Sequence, residues 1–70
     1  MEVLDAQHGH LDLRVTTNEA LLLNNALNEV CNGIHIDDRE FSTRLGIDRD
    51  AARTLLRQIH AAIDDRPQDA

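Results

Sequence analysis

Three arginines spaced four residues apart could bind an anion. Arg49, Arg53 and Arg57 fall on one face of the predicted helix RDAARTLLRQIHAAID, and His60 continues the row. Guanidinium groups pair with carboxylates and phosphates through two parallel hydrogen bonds. Like charges at this spacing repel by about 0.2–0.5 kcal/mol per pair. We therefore expect either an acidic or anionic partner at this row, or a solvated stripe that the neighbouring carboxylates neutralise.

A group of asparagines offers a second kind of contact. The stretch NNALNEVCNG lies within a predicted helix, although each asparagine costs a helix roughly 0.6 kcal/mol relative to alanine. At 100° per residue the asparagines fall on one side of the helix, around a single leucine. Carboxamides both donate and accept hydrogen bonds, so the strip is either a face for self-association or a tolerated polar surface. The predicted self-association residues are Leu21, Asn24, Asn25, Asn28 and Asn32.

No pattern in the sequence indicates catalysis. Cys31, the single cysteine, falls on the inner arc of its helix, where a thiol is usually a small core residue. His35 and His60 have no cysteine or histidine at ligand spacing, and glycine-rich phosphate loops and nucleophile elbows are absent from the sequence. We therefore predict a non-enzymatic protein with no catalytic, cofactor-binding or metal-binding residues.

Length and charge limit the class of protein. Seventy residues with 41% hydrophobic content and one aromatic residue make a single small domain with an aliphatic core. Chains of this size often gain stability by forming oligomers, so we expect a homodimer. The net charge of −6 opposes nonspecific binding to nucleic acid. With no apolar run long enough for a membrane span and no signal peptide, the sequence predicts a cytoplasmic protein without membrane contact.

Hydrophobic periodicity predicts a mostly helical α+β domain over residues 11–64. The alternating stretch LDLRV predicts a strand, and the preceding ten residues are either a flexible terminus, which we favour, or the first arm of a hairpin that turns near Gly9. A capping box at Thr16 and Glu19 starts a helix that runs to about Asn32, with Gly33 in the left-handed position that ends helices. The stretch IHI over 34–36 predicts a second strand, which pairs with LDLRV or across a dimer.

Two further helices should form a corner. Asp37 caps a short helix that ends at Gly46, and Asp48 caps the last one, after which residues 65–70 form a disordered tail. The helices should bury apolar arcs. These predicted inner residues are Ala20, Leu23, Ala26, Leu27, Val30 and Cys31 in the first helix, Phe41 and Leu45 in the second, and Ala51, Ala52, Leu55, Leu56, Ile59, Ala62 and Ile63 in the third.

The segment EFSTRLGIDRDAARTLLRQI resembles the helix-turn-helix of DNA-binding regulators. It matches at the packing residues Phe41, Leu45 and Gly46 and departs at Ser42, where alanine is usual. The resemblance implies that the front of the last helix would enter the major groove. Two of the five residues concerned are acids, which weakens contact with phosphates, so we rank DNA binding second. The five residues are Asp48, Arg49, Asp50, Arg53 and Thr54.

The combination of NALNEVCNG and EFSTRLG, followed by a helix containing a leucine pair, resembles a group of short uncharacterised bacterial proteins over residues 11–63. The resemblance implies a strand leading into the asparagine-rich helix and a helical corner after it. It implies no activity. The sequence as a whole predicts a small regulatory or protein-protein interaction module that self-associates.

Overall fold

The protein is a mostly helical α+β chain, as the sequence predicted. A computed structural model describes residues 1–33 and 35–65. Two antiparallel strands precede three α-helices, and a π-helical segment extends the first helix. The elements are β1 (Glu2–Gln7), β2 (His10–Arg14), α1 (Thr17–Asn28), the π-helical segment (Glu29–Gly33), α2 (Asp38–Leu45) and α3 (Arg49–Asp64).

The predicted helix starts are all confirmed, because each rests on a local cap. The Thr16 hydroxyl accepts from the backbone N–H of Glu19, and the Glu19 carboxylate accepts from the backbone N–H of Thr16 at 2.9 Å. Asp37 and Asp48 accept from N–H groups in the first turns of α2 and α3. Such caps are worth about 1 kcal/mol each.

The two glycines predicted to end helices behave differently. Gly46 ends α2 in the left-handed conformation with φ of 73°, as predicted. Gly33 does not adopt a positive φ, because α1 widens into the π-helical segment and does not stop in a left-handed turn. The predicted second strand over 34–36 is also wrong for His35 and Ile36, which lie outside any strand, while Ile34 lies outside the described residues.

The strand partner lies at the N-terminus. The first ten residues contain β1, which pairs with β2 around a turn at His8 and Gly9. The N-terminus is therefore the hairpin alternative and not the flexible terminus that the sequence favours. The predicted tail over 65–70 lies outside the described residues except for Asp65, which follows α3.

A shift of register gives the hairpin one apolar and one polar face. The register shifts between Val3 and Asp5, so that Leu4 forms a bulge. Directly paired residues share a face of the sheet. One face therefore carries Val3, Ala6, Leu11 and Leu13, and the other carries Glu2, Asp5, Gln7, His10, Asp12 and Arg14.

The buried core is small and lies among the helices. Within the described chain only Cys31, Phe41 and Ala52 are buried, and Leu27, Val30, Ile36 and Leu56 pack around them. No Cα atom of β1 or β2 comes within 8 Å of a helix in the described part of the chain. The hairpin therefore adds nothing to this core.

Candidate functional site

Arg49, the first residue of α3, is held inside the helical corner. Its guanidinium donates to the Asp38 carboxylate at 2.9 Å and to the backbone carbonyls of Ile36 and Cys31. It also lies over the Phe41 ring, 4.7 Å from the ring centroid, and the side chain is only 15% exposed. Arg49 thus joins the end of the π-helical segment to both helices of the corner and is not presented to a partner.

The other two arginines of the predicted row lie at the surface. Arg53 and Arg57 are exposed, and Arg57 donates to the Thr54 hydroxyl at 3.1 Å. Neither forms an ion pair with a carboxylate of residues 1–33 or 35–65, and the same holds for Arg39. The structure therefore places two arginines of the predicted row in solvent and turns the third inward.

The asparagines lie beside α3, although only Asn24 is partly buried and the other three are exposed. Asn24, Asn25 and Asn28 line a groove between α1 and α3, and the buried Oδ1 of Asn24 has no hydrogen-bond donor among the described residues. Asn32 donates to Asn28 at 2.9 Å. The opposite wall of the groove consists of Leu56, Arg57, His60, Ala61 and Asp64.

The arginine row and the asparagine strip are therefore not separate surfaces, because Arg57 lines the same groove as the asparagines. Leu21, predicted at the centre of the amide strip, is 38% exposed and does not line the groove. Sequence periodicity places Asn24, Asn25 and Asn28 on one side of α1, and these three do line one groove. It could not show that α3 packs beside that side.

An apolar groove of about 500 Å³ lies between α1, the helical corner and α3. Leu23, Leu45, Ile47 and Leu55 around it are 40–49% exposed. Leu23, Leu45 and Leu55 had been predicted to be buried, as had Ala26, which is also exposed. We call this surface the helical groove. It is lined by Leu23, Ala26, Leu27, Val30, Leu45, Ile47, Ala52, Leu55 and Ile59.

The apolar face of the hairpin is a second uncovered surface. Val3, Leu11 and Leu13 are 44–62% exposed. Aliphatic side chains that share one face of a sheet normally pack against another apolar surface. We call Val3, Ala6, Leu11 and Leu13 the hairpin face. Sequence reasoning missed it because the bulge at Leu4 breaks the two-residue alternation that identifies a strand with one apolar side.

Three possible metal ligands meet on the polar side of the hairpin. Donor atoms of Asp5, His10 and Asp12 lie within 4.8 Å of one another, and all three residues are exposed. Asp5 and Asp12 are direct cross-strand partners, so the hairpin geometry by itself brings them together. The sequence does not predict this cluster, because a flexible N-terminus would not hold Asp5 beside Asp12.

The pKa of the Glu19 carboxyl lies below its ordinary value. Its carboxylate accepts from the Met1 ammonium at 2.6 Å. That hydrogen bond lowers the pKa of Glu19, and the backbone N–H of Thr16 lowers it further. The contact ties the start of the hairpin to the first turn of α1.

Comparison of the chain with protein-family models, with curated proteins and with solved structures gives no match. In the described residues, no helix has both the length and the apolar character needed to cross a bilayer.

Proposed function

We propose that this protein is a small non-enzymatic interaction module that functions as a self-associated pair, with a regulatory role carried out through binding. In this proposal the pair forms through apolar surfaces. The exposed arginines Arg53 and Arg57 remain available to an acidic or anionic partner, and Arg49 supports the fold around them.

The accessible surface of the single chain carries the proposal. It measures 5752 Å², whereas a compact monomer of 7.9 kDa should expose about 4,400 Å². The difference is about 1,300 Å². An allowance of about half of this difference for the six residues outside the described ranges leaves roughly 650 Å². A standard protein interface buries about 800 Å² on each partner, so the remaining excess is comparable to the area that one such contact removes.

The position of the exposed residues supports the same interpretation. The described part of the chain buries three residues fully, too few to offset the entropy of ordering a chain of this length. The leucines and isoleucines that would complete a core line the helical groove instead. Covering them with a second copy would supply the missing apolar burial, worth roughly 25 cal/mol per Å².

The mass of the protein in solution tests self-association directly. Light scattering from low to high micromolar concentration should show a dimer, and a monomer throughout this range would refute the proposal. Leu55→Asp in the helical groove should then dissociate the pair. Leu22→Asp is the matched control, since Leu22 is 69% exposed and lies outside the groove. Leu21→Asp tests the amide strip as the interface, and dissociation by that variant alone would move the interface there.

Binding to DNA is the alternative function, and Gly46 between α2 and α3 favours it, because a glycine is common in the turn of helix-turn-helix motifs. The charges argue against it. Arg49 is engaged by Asp38 and Phe41, and Asp48 and Asp50 stand at the front of α3. A gel-shift titration on random duplex at low salt would support this function if binding weakened as salt rose. Absence of binding would eliminate it.

A further inference from the structure

We propose that the two apolar surfaces cover each other between copies: the hairpin face of one protomer packs into the helical groove of its partner, and the partner's hairpin does the same in return. This inference rests on the proposed self-association. It goes further by stating which surface contacts which, and by making the hairpin the binding element.

The hairpin requires a partner to be stable. A two-stranded hairpin alone in water is marginally stable at best, and no Cα atom of these two strands lies within 8 Å of a helix Cα atom in the described residues. Its apolar residues share one face, and Val3 and Leu11 are 60% and 62% exposed. An apolar face of this kind persists in a folded protein when another apolar surface covers it.

The helical groove offers a surface of matching character. Its lining is apolar throughout, from Leu23 in α1 to Ile59 in α3. Leu45 and Ile47 at the corner are 44% and 40% exposed, so the groove opens to solvent along the corner. Packing a β-sheet face against helices is a standard way to bury both.

Charge favours the unlike pairing over the two like pairings. The hairpin, residues 2–14, carries three acids and one arginine, a net charge of −2. The segment 38–57 contributes the corner and most of the α3 wall, and it includes both Arg49 and its partner Asp38. It carries five arginines and four acids, a net charge of +1. A hairpin against a hairpin, or a groove against a groove, would bring equal charges together, whereas a hairpin against a groove brings opposite charges together.

The connection to α1 keeps the hairpin away from the groove of its own chain. Only Val15 and Thr16 separate β2 from α1, and Thr16 is fixed as the N-cap. The Met1 ammonium bonds to Glu19 in the first turn. These contacts fix the base of the hairpin at the start of α1, while the helical groove begins at Leu23 and extends toward the other end of that helix.

Cross-linking between differently labelled copies tests the arrangement. One chain carries Leu13→Cys on the hairpin face, and a second, affinity-tagged chain carries Leu55→Cys in the groove. Both carry Cys31→Ala, or keep the buried Cys31 if that substitution prevents folding. After the two chains are mixed, a short bis-maleimide should join a tagged chain to an untagged chain. Asp12→Cys, on the opposite face of the same hairpin, should give much less of this product.

The alternatives give different products. Links between two Leu13→Cys chains or between two Leu55→Cys chains would overturn the proposal in favour of a like pairing. A link within one chain carrying both substitutions, with no increase in mass, would show that the hairpin covers its own groove. If light scattering shows a dimer but no link joins the two sites, only this inference fails. If it shows a monomer, the proposed self-association fails as well.

Discussion

Replacing Arg49 with methionine should destabilise the folded protein strongly, whereas the same change at Arg53 should not. Methionine keeps much of the apolar stem of the side chain and removes the guanidinium. Two backbone carbonyls then lose their donor, those of Ile36 and Cys31, and the ring of Phe41 loses its cation.

The magnitude follows from these contacts. Hydrogen bonds from a charged group are worth about 1.5–3 kcal/mol, and we count the two carbonyls as one such bond because the Cys31 contact is long at 3.4 Å. The cation–π contact adds about 0.5–1 kcal/mol. The ion pair with Asp38 adds little, because that carboxylate is 88% exposed. The sum is about 2–4 kcal/mol, a large share of the roughly 3.5–10 kcal/mol expected for 70 residues.

Urea unfolding followed by far-ultraviolet circular dichroism measures this loss, since the chain has no Trp or Tyr to report by fluorescence. With a slope near 1 kcal/mol per molar, the midpoint should fall by about 2 M or more. Protein concentration must be held constant, because association stabilises the folded state by mass action. Arg53→Met and Asp38→Asn are the controls, with shifts within about 0.5 kcal/mol. If Arg49→Met shifts the midpoint no more than Arg53→Met, the buried anchoring of Arg49 is refuted.

Three further predictions concern single residues. Gly46→Ala should destabilise the protein by about 1–2 kcal/mol in the same urea assay, because φ is 73°, while Gly9→Ala, at an open position without a positive φ, should stay near wild type. Cys31 is 1% exposed, so a thiol-reactive reagent should modify it slowly in buffer and rapidly in urea; equal rates would contradict its burial. The pKa of Glu19, measured by NMR titration, should lie below its value in the unfolded chain. Its contribution to stability is then present above the unfolded-state pKa and is lost as the pH falls through the folded-state pKa. Glu19→Gln should remove that part of the acid dependence.

The sequence predicted the features that depend on local chemistry. Thr16, Asp37 and Asp48 cap helices because a side-chain oxygen reaches an N–H within the same turn. Gly46 ends α2 because glycine tolerates a positive φ. These relations involve residues a few positions apart, so their spacing is visible in the sequence.

Features that depend on contacts between distant segments were missed. The inward turn of Arg49 requires a ring from α2 and carbonyls that lie 13 and 18 residues away. The asparagines share a groove with Arg57 because α1 packs beside α3. The sequence favours a flexible terminus over the hairpin because one bulged residue, Leu4, interrupts the period of β1. Packing between distant segments therefore decides which of the predicted arginines and asparagines reach the surface together.

The bulge at Leu4 also makes the two outer edges of the hairpin unequal. A bulge twists a strand and interrupts the regular spacing of its free N–H and C=O groups. The outer edge of β1 is consequently a poor template for a further strand, whereas β2 has no such interruption. Growth of the sheet into an aggregated stack is therefore hindered on one side, and deleting Leu4 would remove that protection while leaving Val3 opposite Leu13 on the apolar face.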